Sequence, residues 1–154
     1  MKKMDKILVL RTAKMQVVEL LMNSIGQDCD ITFLAQSNIV DKLADKYPFA
    51  KVISIGDIYF NFTAFCGNVH LSEKFDRVYV LASGIEFTEY EEVFAIVEQI
   101  KCRQVILFNK NGIADVECRT VINRLKENVY FVFAWVYMKS VEIWYKHFGK
   151  KYRF

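Results

Sequence analysis

The sequence predicts an α/β fold, a parallel sheet of five strands with helices on both faces. Three observations carry this. Short runs of branched apolar residues, such as KILVL and RVYVL, read as strands buried on both sides. Between them lie segments whose apolar residues recur three and four apart, the period of a helix. The two kinds alternate five times along the chain, an order that right-handed crossovers between parallel strands satisfy.

The elements follow in order. KILVLRT, residues 6–12, is the first strand. Met15, Val18, Leu21, Met22 and Ile25 then mark a helix, and Gly26 suits its stop. DITFLAQ, 30–36, is the second strand. Ser37 or Asn38 caps a helix over 38–47 that presents Ile39, Val40, Leu43 and Tyr47 and ends before Pro48. AKVISIG, 50–56, is the third strand, and the less regular stretch after it reads as a loop with a short helix. RVYVLAS, 77–83, is the fourth. Thr88 with Glu91 forms a capping box for a helix carrying Val93, Phe94, Ile96, Val97 and Ile100. RQVILFN, 103–109, is the fifth strand; the turn KNG follows, and helix is expected to resume near Asp115. Such an arrangement is a Rossmann-like, three-layer α/β/α domain.

At 154 residues, the chain is long enough for one domain with a sizeable core. Hydrophobic residues make up 53% and aromatics 15%, which excludes disorder and leaves apolar surface to bury. A net charge of +3 is too small to indicate nucleic-acid binding. Four cysteines without a C-x-x-C pair, and only two histidines, argue against a metal site. No secretory signal is apparent, because KILVL is too short for a signal core, so reduced thiols and a cytoplasmic location are expected.

In parallel sheets, ligands sit at the carboxyl ends of the strands. The candidates there are Arg11 and Thr12, Gln36 and Ser37, Gly56 and Asp57, Ser83 and Gly84, and Asn109 to Gly112. RTAKMQ after the first strand contains no glycine, so neither a dinucleotide fingerprint nor a Walker loop is present. Arg11 or Lys14 remains available to an anion. Asp57, Ser83 and Lys110 resemble the phospho-acceptor, hydroxyl and lysine of receiver domains. A receiver also needs an acidic pair for Mg²⁺ after its first strand, where this chain has Arg11 and Thr12. No nucleophile elbow or acid–base pair stands out, so no catalytic residue and no cofactor is assigned.

The first half, KILVLRT followed by DITFLAQSNIVDKLADKYPFAKVISI and later FDRVYVLASG, resembles the N-terminal half of heptosyltransferase-type glycosyltransferases. The matching pieces are Ile31 to Ala35, Asn38 to Tyr47, Pro48, Val52 to Ile55 and the strand within 75–84. The resemblance implies a role in cell-surface polysaccharide biosynthesis. The family's Gly-Asp pair after the first strand is missing from RTAKMQ, and no second domain for the sugar nucleotide follows. The implied protein is a non-catalytic or degenerate transferase-like domain acting by association. The alternatives are an active transferase half completed by a partner chain, and a receiver-like signalling module.

The tail raises a separate question. From Cys118 to Val136, apolar gaps of three and four continue, so one helix over 115–147 is expected, about 50 Å long at 1.5 Å per residue. Residues 1–127 would form the domain and 128–154 an aromatic, basic extension. Phe133, Val136, Tyr137 and Trp144 are the interface candidates. The leading expectation is a homodimer through this helix. The other readings are contact with a membrane interface, the run being too short and too charged to span, and a hairpin folded back on the sheet. The receiver alternative has a direct check. Intact mass after incubation with acetyl phosphate and Mg²⁺ is expected to be unchanged; added phosphate on Asp57 would establish it.

Overall fold

The computed structural model describes residues 4–26, 28–84, 87, 90–117 and 133–141. The chain divides into two compact units, Met1–Cys118 and Arg119–Phe154.

The first unit is an α/β domain. Its strands are β1 (Asp5–Leu10), β2 (Cys29–Ala35), β3 (Lys51–Ser54), β4 (Phe75–Ala82), β5 (Cys102–Asn109) and β6 (Gly112–Glu117). Its helices are α1 (Met15–Ser24), α2 (Val40–Lys46), α3 (Phe62–Asn68) and α4 (Glu91–Gln99), with a 3₁₀ turn at Ser37–Ile39. The strand order is β3-β2-β1-β4-β5-β6. The first five strands run parallel, and β6 is antiparallel to β5. The sheet is therefore six-stranded and mixed, not the five-stranded parallel sheet that the periodicity suggests.

The sixth strand replaces the start of the expected long helix. Asn109 pairs with Gly112 across a two-residue turn, and Gly112 adopts φ 106°, open to glycine at little cost. The Asn109 side chain accepts the Asn111 N–H at 2.8 Å, which closes the turn. The register shifts between Leu107 and Phe108, so a bulge follows the hairpin. Chain reversal here supplies β5 with a second neighbour, and this outweighs the helical spacing read further along.

Strand alternation sorts the core into two clusters. Ile7, Val9, Phe33, Tyr79, Leu81 and Phe108 pack with Val17, Val18 and Leu21 of α1 and Leu43 of α2. Leu8, Leu10, Leu34, Val78, Val80 and Leu107 pack with Phe65 of α3 and Val93, Ile96 and Val97 of α4. Phe33, fully buried, stacks on Tyr47 with ring centroids 5.5 Å apart.

The helix ends differ from expectation in detail. The turn at Ser37–Ile39 is preceded by Gln36, and neither Ser37 nor Asn38 caps it. Ile25 rather than Gly26 closes α1, through its N–H to the Leu21 carbonyl. The residue before α4 is Tyr90; Thr88 lies outside the described residues. The short helix expected after β3 is α3, capped by Asn61, whose side chain accepts the N–H groups of Thr63 and Ala64.

In the second unit, residues 133–141 are helical and exposed at every position. Trp144 and the division at 127/128 lie outside the described residues.

Two substitutions test this packing. Phe33→Ala is expected to destabilise by about 3–5 kcal/mol, because both the ring and its stack on Tyr47 are lost. Gly56 sits at φ 83°, and an added Cβ would overlap the Asn68 side-chain amide, which itself donates to the carbonyls of Ile55 and Ala64. Gly56→Ala should cost about 1–3 kcal/mol. Urea denaturation measures both.

Candidate anion site at the strand-order reversal

The sheet grows from β1 in both directions. β2 and β3 lie on one side and β4 and β5 on the other, so strand order reverses between β1 and β4. Open α/β sheets bind ligands outside the carboxyl ends at such a reversal. The residues reaching that point are Arg11, Thr12 and Lys14 after β1, Gln36 after β2, and Ser83 after β4.

Arg11 directly follows the last buried residue of β1. Its N–H donates to the Leu34 carbonyl at 2.9 Å, which continues the β1–β2 ladder. Its Nη1 donates to Gln36 Oε1 at 3.2 Å. The Nε–H is buried with no hydrogen-bond partner among the described residues. Burial pulls the guanidinium below its usual value, and no carboxylate among the described residues acts on it. An arginine stays charged under such conditions. A buried donor left unpaired costs about 1–3 kcal/mol, which makes Arg11 the candidate anion contact at this strand end.

Thr12 and Ser83 fix the neighbouring backbone. The Thr12 hydroxyl donates to the Leu81 carbonyl of β4 and lies 3.4 Å from the Leu10 carbonyl. Ser83 Oγ accepts the Lys14 N–H at 3.0 Å, tying β4 to the residue before α1. The first turn of α1 contains no acid, so the positive end of the helix is not neutralised by its own side chains. Tyr90, which leads into α4, is half-buried beside this point. Burial raises its phenol above the ordinary value, and its hydrogen bond with Thr12 partly offsets the rise.

The opposite end of the sheet contrasts with this. There Lys6 pairs with Glu73 at 2.5 Å, and Arg77 with Asp5 at 2.9 Å. Lys6 and Arg77 thus have counter-charges, whereas Arg11 at the carboxyl end has none among the described residues.

The other sequence candidates fall elsewhere. Ser37 is exposed, and its N–H donates to the Asp57 carbonyl at 2.9 Å, so these two residues share the β2–β3 side. Asp57 Oδ1 accepts the N–H groups of Ile58 at 2.6 Å and Tyr59 at 3.3 Å, a turn-capping role. Lys110 is exposed in the β5–β6 turn. With β3 at the sheet edge, Asp57 and Ser83 follow strands three spacings apart, about 14 Å, and Asp57 and Lys110 four spacings, about 19 Å. The receiver arrangement requires these three groups together, and this strand order separates them. Tyr90 was not legible in the sequence, where it reads as one aromatic ahead of a helix. Among the described residues, no group of three or more His, Cys, Asp or Glu could hold a metal ion.

The two raised phenols give a pH dependence. Burial raises Tyr47, with Lys46 opposing, and burial raises Tyr90, with Thr12 opposing. The folded state holds these protons longer than the unfolded chain. Their contribution to stability is therefore complete below about pH 10 and lost as pH rises beyond it. Urea midpoints should fall as pH rises above about 10, and Tyr47→Phe should make the fall shallower.

No family model matches the chain, and no curated protein or solved structure matches it.

Proposed function

We propose that residues Met1–Cys118 form a Rossmann-like, three-layer domain that binds a phosphorylated sugar or sugar nucleotide without turning it over. In this reading the chain is a degenerate relative of one half of a heptosyltransferase-type glycosyltransferase and acts by association in cell-surface polysaccharide biosynthesis. The order β3-β2-β1-β4-β5 and the two core clusters support the layered fold.

The observation that carries the ligand class is Arg11. A guanidinium with an orphaned, buried Nε–H, no counter-charge among the described residues, and a place at the strand-order reversal suits a phosphate oxygen. Arginine donors match phosphate geometry in pairs, and the acid-free start of α1 adds to the positive field. Binding without turnover is the reading that the missing Gly-Asp pair after β1 favours; among the described residues, Thr12, Gln36 and Ser83 are engaged in backbone or side-chain hydrogen bonds that include no histidine or carboxylate.

Calorimetry with inorganic pyrophosphate and with a nucleoside diphosphate sugar tests the reading. Arg11→Ala is expected to weaken binding by roughly 10–100-fold, the value of a hydrogen bond to a charged group, about 1.5–3 kcal/mol. Arg11→Lys should not restore it, because the paired donors are lost. The unliganded Arg11→Ala protein should melt no lower than the parent, since an unpaired buried donor is removed. Equal affinity in parent and variant, or a marked drop in melting temperature, would make Arg11 a structural residue.

A further inference from the structure

The helix of residues 133–141 carries its apolar groups on every side. At about 100° per residue, Phe133, Ala134, Trp135, Val136, Tyr137, Met138 and Val141 distribute around the whole axis, and Lys139 and Ser140 are the two polar positions. All nine residues are exposed, with Phe133 at 69%, Tyr137 at 71% and Met138 at 72%. A seam with a second subunit covers a stripe somewhat over 100° wide and would leave the rest of this surface in water. The acyl side of a bilayer interface covers more of it than such a seam does.

Two further observations point to the same medium. The Ser140 hydroxyl turns back on its own helix, donating to the Val136 carbonyl at 2.7 Å and lying 2.9 Å from that of Tyr137. It thus needs no partner outside, as hydroxyls in apolar surroundings require. The sequence that follows is EIWYKHFGKKYRF, residues 142–154, with four Lys or Arg against one acid, Glu142. Such a cluster beside an apolar helix is complementary to anionic headgroups.

We infer that this helix inserts into the headgroup–acyl boundary of an anionic bilayer, with Trp135 and Tyr137 at the depth these residues favour and the basic run on the lipid phosphates. No helix among the described residues is long and apolar enough to cross a membrane. An apolar run of ten residues, Val129–Met138, has the length of an interfacial or re-entrant segment. Insertion would hold the ligand-binding domain at a membrane surface.

Flotation of the full-length chain with phosphatidylcholine vesicles, with and without phosphatidylglycerol, tests this. The protein should float with the anionic vesicles, and partitioning should fall about tenfold or more without phosphatidylglycerol. Tryptophan emission should shift to the blue on binding and be quenched by brominated lipid. Val136→Glu/Tyr137→Glu should abolish flotation while the circular dichroism and the urea transition of the α/β domain stay unchanged. Val136→Ser/Tyr137→Ser, a milder change, should weaken it. Failure to float with either vesicle would overturn the inference. So would equal partitioning into both, or a lipid-free dimer that Val136→Glu/Tyr137→Glu dissociates in a chain that does not float.

Discussion

The domain depends on β1 being buried on both faces. Ile7, Leu8, Val9 and Leu10 are all fully buried, paired through their backbones to β2 on one side and β4 on the other. Each such side chain contributes on the order of 1.5–3 kcal/mol through burial. Helices must cover both faces for this to hold, which is why α1 and α2 meet one set of side chains and α3 and α4 the other. A strand of this kind has no room for polar groups along its length. Polar chemistry is pushed to its carboxyl end, and the first residue beyond the buried stretch is Arg11. The gain from four buried side chains outweighs the cost of one orphaned N–H, so the fold tolerates an unpaired donor there.

The backbone around Arg11 is held from three directions. Its own N–H reaches β2, the Thr12 hydroxyl reaches β4, and Ser83 reaches back to Lys14. These bonds use neutral groups and leave the guanidinium's charge uncompensated. A cation on a rigid frame loses little freedom when an anion arrives, and that is the condition for strong, oriented binding. Lys6 and Arg77, at the other end of the sheet, are instead paired with carboxylates.

The second unit poses the opposite problem. The α/β domain encloses its apolar side chains, whereas the helix of residues 133–141 displays them. The binding proposed at Arg11 and the lipid partition proposed for this helix rest on different residues and different forces. One is charge pairing in a partly desolvated site; the other is apolar transfer with a basic flank.

Five parallel strands and the helices between them were readable from the chain alone, because strands buried on both faces appear as unbroken apolar runs and the helices as three-and-four spacing. The sixth strand reads as helix in the sequence, although Asn111-Gly112 and the alternation beginning at Ala114 are hairpin signals. The apolar spacing beyond Cys118 masked them. Arg11, Thr12, Gln36 and Ser83 were recognisable as strand-end residues, but so were Asp57 and Lys110, and periodicity could not rank them. Strand order did that, by placing β4 beside β1 and β3 at the edge. The contact between Tyr90 and Thr12 also arose only from folding. Local patterns report whether a residue is buried, which is a property of its own neighbourhood in the chain. Which strand ends meet is set by pairing between segments some seventy residues apart, as Thr12 and Leu81 are, and only the tertiary structure decides it.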